Sequence, residues 1–279
     1  MFEIQIILNM KKTILAIALV FSTITASAQF YVSASAGGSL TANEKVLGEK
    51  TDVLSGSLNN LKGSYGEGIN GNLRIGYFFN KTVGLELGVG YLHGAEQEVN
   101  NVVINTSTEV DLLEMNAKAR AFGASLSGVF NVTESVYVRL GLLTKIGGKT
   151  ISETNLDFST IGTDLQADFT TEFRGKMPLG FVGGLGYRYK LSENLNLFVE
   201  AEYMNIGVTR NKSNLEDLTA TYLGSQIDAA TLSTILATAG YSDLAVLLQE
   251  DLQWGENGLP APKAPYSSIG LNFGVTYSF

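Results

Sequence analysis

The sequence contains no cysteine, only four prolines and a single histidine, His93, among its 279 residues. Without cysteine, an exported chain cannot be stabilised by disulfides. One histidine and no cysteine argue against a strong transition-metal site, so we expect no metal ligands and no cofactor. Basic residues are outnumbered by acidic ones, giving a formal net charge of −8. This balance argues against nucleic acid as a partner.

Long apolar runs are also scarce, and the one that stands out lies near the start of the chain. A short positive stretch at residues 10–12 precedes an apolar run at residues 13–24 and the small-residue site Ala26-Ser27-Ala28. This arrangement is typical of a signal peptide for Sec-dependent export. Residues 1–28 are therefore predicted to be a signal peptide, with Met10 as the true start. Beyond it, no stretch is apolar enough for a transmembrane helix.

What the chain does contain is alternation, which is clearest in its last eleven residues. Large apolar residues occupy every second position there, namely Ile269, Leu271, Phe273, Val275, Tyr277 and Phe279, and small or polar residues lie between them. A period of two over about ten residues fits a tilted strand that crosses a bilayer. In an outer-membrane barrel, lipid covers the apolar face and closure of the sheet covers the free edge.

Eight such strands are predicted, at residues 30–38, 70–79, 83–93, 117–130, 136–146, 177–189, 195–203 and 269–279. The connections at 80–82, 131–135 and 190–194 are short, whereas those at 39–69, 94–116, 147–176 and 204–266 are long. Short turns on one side and long loops on the other are typical of outer-membrane barrels. We therefore predict that residues 29–279 form one all-β domain, a transmembrane eight-stranded antiparallel up-and-down β-barrel. A soluble sandwich or barrel is the alternative.

Aromatic residues cluster near the ends of the predicted strands, as expected for two interfacial girdles. The predicted periplasmic girdle contains Phe79, Phe130, Tyr137, Tyr187, Tyr189, Tyr277 and Phe279, and the external one contains Tyr91, Tyr203 and Tyr266.

Two of the long loops carry patterns of their own. In the last loop, Asp228 is predicted to cap one short amphipathic helix that ends at Gly240, and Ser242 to cap a second. The apolar stripes of these helices either pack on each other and on neighbouring loops or form a lid or a surface for a partner. In the third loop, alternation on both sides of residues 161–164 suggests that the flanking strands continue outward as a hairpin.

Charged residues alternate with the predicted lipid-facing ones and are therefore expected to point into the lumen. This predicted charge network consists of Arg74, Glu86, Arg139, Lys145, Arg188, Glu200 and Glu202. The interior of an eight-stranded barrel is just wide enough to be filled by side chains. Because buried ions must pair, the network is either a structural plug or a narrow ion path that opens when the pairs rearrange.

An enzyme is the weakest of the functional alternatives. His93 is predicted at the outer end of the third strand, near the level of Ser267 and Ser268, but no nucleophile elbow is present. No catalytic residues are therefore predicted, and the protein is expected to be non-enzymatic.

In these features the chain resembles the small outer-membrane β-barrel family, the OmpA/OmpX-like group. The resemblance rests on residues 11–28, the alternating strands, the turn–loop asymmetry and the terminal Phe279. It implies a porin-like cell-envelope protein in the outer membrane of a Gram-negative bacterium. It further implies outer-membrane lipids and the barrel-assembly machinery as partners, with Tyr277 and Phe279 as the assembly signal. No peptidoglycan-binding domain is seen after the barrel, so anchoring to the cell wall is not implied.

The function expected from this sequence is envelope structure, with surface interaction through the external loops and residues 204–266 as the segment for a partner. One alternative is a narrow channel or a transporter of small hydrophobic molecules. Another is an outer-membrane enzyme that modifies lipids. Loops are where such barrels carry function, and these loops contain no recognisable motif.

Deletion of Phe279 is predicted to reduce assembly into the outer membrane, because the terminal aromatic is the expected assembly signal. The yield of folded, heat-modifiable barrel in purified outer membranes measures this. A deletion variant that assembles as well as the wild type would contradict the prediction.

Overall fold

The computed structural model describes residues 29–256 and 259–279. The predicted signal peptide and its start lie outside these residues. The strands are β1 (Gln29–Thr41), β2 (Lys45–Asp52), β3 (Leu58–Gly63), β4 (Gly68–Phe78), β5 (Val83–Gly94), β6 (Gln97–Asn105), β7 (Glu109–Asn131), β8 (Val136–Asp157), β9 (Leu165–Gly175), β10 (Gly180–Lys190), β11 (Leu195–Asn205), β12 (Gly207–Tyr222), β13 (Ser225–Gln226), β14 (Leu252–Gln253), β15 (Lys263–Pro265) and β16 (Ser268–Ser278). The α-helices are α1 (Ala229–Thr238) and α2 (Ser242–Leu247).

Eight of these strands close into a barrel, which confirms the predicted fold. Around the wall the order is β16, β1, β4, β5, β7, β8, β10, β11 and again β16, and neighbours are antiparallel. The last residue completes the seam, because the backbone N–H of Phe279 donates to the carbonyl of Phe30 at 2.9 Å. Closure leaves no free sheet edge in the wall, as a membrane-spanning sheet requires.

The two faces of the wall differ as the alternation predicts. In β5, Leu85, Leu87 and Val89 are 44%, 56% and 54% exposed, whereas Glu86 is 5% exposed. The same outward apolar face continues around the barrel, with Val32, Leu73, Ile75, Leu126, Leu140, Leu142, Leu185, Leu197, Leu271, Phe273 and Val275. An apolar band of this kind is stable only against lipid.

Beyond the barrel, most of the long connections form strands that continue the barrel sheet outward. We call residues 42–67, 95–118, 149–179 and 206–267 the outer head. Its strands lie in the order β3, β2, β6, β7, β8, β9, β12, and β2 and β6 are parallel. The predicted outward hairpin in the third loop is present as β8 and β9, joined by a short 3₁₀ turn at Ser159–Ile161.

Strands β7 and β8 belong to both the barrel and the outer head. They are 23 and 22 residues long and pair with each other from Leu113 and Leu156 down to Asn131 and Tyr137. A membrane crossing needs about 9–11 residues. The remaining residues therefore carry the sheet well outside the membrane, with one bulge at Ile146.

The inner face of the outer head is apolar and packs on the two helices. Leu232 and Leu236 of α1 and Leu244 of α2 lie in the same buried cluster as Phe169 and Phe173 of β9. Of the alternatives for the helices, packing within the head is the one observed. Burial of these leucine side chains stabilises helices that would be too short to be stable alone.

One predicted helix cap is confirmed and the other is wrong. The Asp228 carboxylate accepts the backbone N–H of Thr231 at 2.8 Å. Hydrogen bonding by the Thr231 side chain, and then by this N–H, lowers the pKa of the Asp228 carboxyl. Helix α2 instead begins after Tyr241, with no side-chain cap, and Ser242 is its first residue. The ring of Tyr241 packs against Phe158, so tertiary contact fixes this helix start.

The aromatic girdles also need correction at two positions. Tyr137 and Tyr266 are each 3% exposed and face the interior, whereas the predicted girdle residues Tyr187 and Tyr277 are half exposed on the outside. Among the described residues, no helix has both the length and the apolar character needed to cross a membrane.

Leu236→Ala is predicted to destabilise the outer head by about 2–5 kcal/mol, because Leu236 is fully buried and its removal leaves a cavity. Amide hydrogen exchange in lipid nanodiscs should show loss of protection in α1 and unchanged protection in β4 and β5. Leu54→Ala, at a side chain that is 62% exposed, is the matched control. Equal protection of α1 in both variants would contradict the prediction.

Candidate functional site

The barrel wall brings five of the seven predicted charges together in the lumen. Strand β4 supplies Arg74, β5 supplies Glu86, β8 supplies Arg139, and β11 supplies Glu200 and Glu202. Each lies at an inward position of its strand, because apolar neighbours on both sides face lipid. We call these five residues the charge cluster.

Glu200 is the centre of the charge cluster, and its side chain is completely buried. Its Oε1 lies 2.8 Å from Nη2 of Arg74 and 3.0 Å from Nη2 of Arg139. Arg74 also donates from Nη1 to Oε2 at 3.2 Å, so it binds the carboxylate in a bidentate manner. Strands β11 and β4 are three places apart around the wall, so this ion pair crosses the lumen.

The two other carboxylates complete the pairing of both arginines. Glu86 Oε1 lies 3.9 Å from Nε of Arg74 and 3.8 Å from Nε of Arg139, and its Oε2 accepts the hydroxyl of Tyr31 at 2.9 Å. Glu202 pairs with Arg139 from the outer side and is 18% exposed. The two cations are therefore surrounded by three carboxylates, as buried ions require.

Towards the end of the barrel with the short turns, a layer of aromatic rings lies next to the charge cluster. Tyr31, Tyr137 and Phe198 are buried, and Arg74 lies 5.8 Å from the centre of the Phe198 ring. Glycines make room for the tyrosines. A Cβ at Gly76 would collide with the ring of Tyr31, and one at Gly186 would collide with the ring of Tyr137.

Lys145 and Arg188 lie outside the charge cluster, which corrects the predicted network. Along β8, Lys145 is six residues beyond Arg139, about 20 Å further out. Its Nζ donates to the carbonyl of Gly148 at 3.3 Å. Arg188 lies towards the end with the short turns, 4.0 Å from the centre of the Tyr137 ring. It donates there to Asn131 Oδ1 at 2.6 Å.

Sequence reasoning missed the uncharged members of this site. Tyr31, Ser127 and Phe198 are buried in the lumen, and Ser127 accepts a hydrogen bond from Arg139 Nη1 at 3.4 Å. The only sequence signal for these residues is the alternation along each strand. This alternation is blurred in the first and fourth predicted strands, which contain Tyr31 and Ser127. Asn272 of β16 is also fully buried.

His93 does not form a catalytic arrangement. Its ring is exposed on the outside of β5, 6.5 Å from the ring of Tyr91, whereas Ser267 and Ser268 are buried. Across the parts of the chain that the structure describes, no serine or carboxylate is hydrogen-bonded to the His93 ring. The same residues contain no group of three metal-ligating side chains.

The charge cluster and the rings fill the lumen at the level of Glu200. Arg74, Glu86, Arg139 and Glu200 have side chains at most 5% exposed. A water-filled path at this level would leave them accessible. Because the ion pairs link β4, β5, β8 and β11, the arrangement braces opposite walls of the barrel.

Glu200→Gln is predicted to destabilise the folded barrel by about 3–5 kcal/mol, because it leaves two buried arginines without their shared carboxylate. Unfolding by guanidinium in lipid vesicles measures this. Glu193→Gln makes the same chemical change at an exposed turn between β10 and β11 and should have little effect. Superimposable unfolding curves for Glu200→Gln and the wild type would contradict the prediction.

Comparison with known proteins places the chain in a family. The model of the outer membrane protein beta-barrel domain matches residues 13–241. Curated proteins give no match. Among solved structures, Neisserial surface protein A is 14% identical, with 91% of this chain and 99% of that chain covered and a TM-score of 0.35. A major outer membrane protein from Thermus thermophilus is 15% identical, with coverages of 90% and 99% and a TM-score of 0.44. OprG from Pseudomonas aeruginosa is 12% identical, with coverages of 91% and 96% and a TM-score of 0.37. The chain belongs to the outer membrane protein beta-barrel domain family.

Proposed function

We propose that this protein is a non-enzymatic, non-conducting outer-membrane barrel that holds a folded head outside the cell for envelope structure and surface contact. The observation that carries the proposal is the closed lumen at the level of Glu200, where the side chains of both arginine partners are at most 4% exposed. A barrel closed in this way supports a role for its external part rather than for its interior.

The construction of the outer head supports the same role. Residues 204–266, the segment expected to meet a partner, supply β12 to β15 and both helices. Strand β12 pairs with β9, and β9 pairs with β8, so this segment is hydrogen-bonded to a strand that also crosses the membrane. A surface held this rigidly requires little ordering when it binds a partner, which favours binding.

The alternative, a narrow channel or a transporter of small hydrophobic molecules, has less support. An axial path would require Arg74, Arg139 and Glu200 to separate, which would leave buried ions without partners. Sideways exit would require a gap in the wall. Strands β5 and β7 pair without a register shift from Val83 to His93, and β4 and β5 pair without one along their length. Strands β7 and β8 have a register shift at Phe122 and Gly123 but pair on both sides of it.

The proposal includes the remaining expectations about the cell. Export through the Sec signal peptide at residues 1–28 and residence in the outer membrane of a Gram-negative bacterium are parts of it. So is recognition of Tyr277 and Phe279 by the barrel-assembly machinery. Both side chains lie on the lipid side of the closing strand, with their ring centres 5.1 Å apart, where a membrane-embedded factor would meet them.

The purified protein is predicted to give no ion conductance in planar bilayers above that of protein-free bilayers, and no solute entry in liposome swelling. The physical reason is that the charge cluster excludes water. Glu200→Gln, Arg139→Gln and the exposed control Glu193→Gln are measured beside the wild type.

A steady wild-type conductance that changes in Glu200→Gln and Arg139→Gln, but not in Glu193→Gln, would favour the channel and contradict the proposal. Absence of conductance in the wild type and in the exposed control is the result expected of a closed barrel.

A further inference from the structure

The outer head contains a cavity of about 750 Å³ between the inner face of its sheet and helix α2. Small-molecule sites commonly have volumes of about 300–1,000 Å³. Apolar walls are formed by Val99, Val102, Met115, Phe173, Val208 and Leu247. Two acidic residues of the lining, Glu49 and Asp243, are exposed, so the cavity is open to solvent on their side.

Arg210 brings a positive charge into this cavity. Its guanidinium carbon lies 4.0 Å from the centre of the Phe173 ring and 4.6 Å from that of Trp254. A bulge at Asn211 allows both Arg210 and Ser213 to face the interior from one strand. The Trp254 indole N–H donates to the Ser213 hydroxyl at 2.9 Å, and this hydrogen bond holds the indole ring beside the Arg210 guanidinium.

This cation has no anionic partner in the structure. In residues 29–256 and 259–279, no carboxylate lies within 4.0 Å of the Arg210 guanidinium, and no side chain accepts a hydrogen bond from it. A second cation of the lining, Lys145, donates only to the backbone carbonyl of Gly148 and lies 5.8 Å from the centre of the Tyr266 ring. The cavity thus contains positive charge and hydrogen-bond donors that an anion would satisfy.

Tyr65 adds a neutral donor to the same space. Its side chain lines the cavity, and its ring lies 5.8 Å from that of Tyr266. Burial raises the pKa of Tyr65 to about 12, and the nearby charge of Arg210 acts in the opposite direction. The hydroxyl is therefore protonated at neutral pH, and no hydrogen-bond partner for it occurs among the described residues.

We propose that this cavity binds an anionic amphiphile, a molecule with one carboxylate and an apolar chain or ring system. Arg210 binds the carboxylate through its planar fork of N–H donors, Tyr65 donates a further hydrogen bond, and the apolar walls cover the rest of the molecule. This inference does not depend on whether the lumen conducts.

Other ligand classes fit the cavity less well. A neutral apolar molecule would bury the guanidinium further without pairing it, at a cost in free energy. A cation would be repelled by Arg210 and Lys145, which both line the cavity. The acidic residues Glu49 and Asp243 are exposed at the rim, where water and salt screen their repulsion of an anion.

The only tryptophan of the chain, Trp254, lies beside Arg210 and reports binding directly. Decanoate is titrated into the full-length mature protein in lipid nanodiscs, with empty nanodiscs as the blank, and Trp254 emission is recorded. A saturable change is expected. Arg210→Gln should weaken binding about tenfold or more, because a charge-assisted pair is lost. Tyr65→Phe should weaken it a few-fold.

Lys212→Gln is the matched control, because it removes a cation from the same strand at an exposed position. It should bind decanoate as the wild type does, and decanol should bind the wild type at least about tenfold more weakly than decanoate. If Arg210→Gln fails to fold, the decanol comparison and Tyr65→Phe still test the site. No saturable change, or equal binding of decanol and decanoate, would overturn the proposal. Conductance measurements are unaffected by either outcome, so this proposal and the closed-barrel proposal fail separately.

Discussion

The closing pair of strands, β16 and β1, is the contact on which the rest of this structure depends. In lipid, every backbone N–H and C=O needs a partner within the sheet, so the wall is stable only when closed. Residues 268–278 pair with residues 31–41 without a shift, which satisfies both edges at once. Closure at eight strands also sets the width of the lumen, and this width allows Arg74 and Glu200 to pair across it.

Closure has a second consequence at the outer rim. The wall ends at the membrane surface, but β7 and β8 continue, and β9 and β12 join them edge to edge. The continued sheet has an inner face that lipid cannot cover. Helices α1 and α2 cover it, and the space they leave unfilled is the cavity beside Arg210. The barrel and the head therefore follow from one continuous set of hydrogen bonds.

The barrel was predictable from the sequence because lipid imposes alternation on each strand, as in Val83 to Val89. In the outer head, the hairpin of β8 and β9 and the two helices were predictable. Other strands, such as β6 (QEVNNVVIN), were not, because neither face lies in lipid and the sequence shows no clear period. The alternation also identified which charged residues point into the lumen, but not how far along the barrel axis each one lies. Lys145 points inward, yet it lies six residues above Arg139, and the bulge at Ile146 reverses the parity beyond it. The position of the unpaired Arg210 could not be predicted from alternation or from helix patterns. Its guanidinium packs on the rings of Phe173 and Trp254, which come from distant segments of the chain.

The long strands β7 and β8 give the molecule a mechanical property. More than twenty residues run from the short turn to the tip of the head in each strand, and the two strands pair on both sides of the bulge at Ile146. A pull on the tip along the strand axis loads their shared hydrogen bonds together, because these bonds lie across the direction of force. A force that a bound partner applies to the head is therefore transmitted through β7 and β8 to the barrel in the membrane.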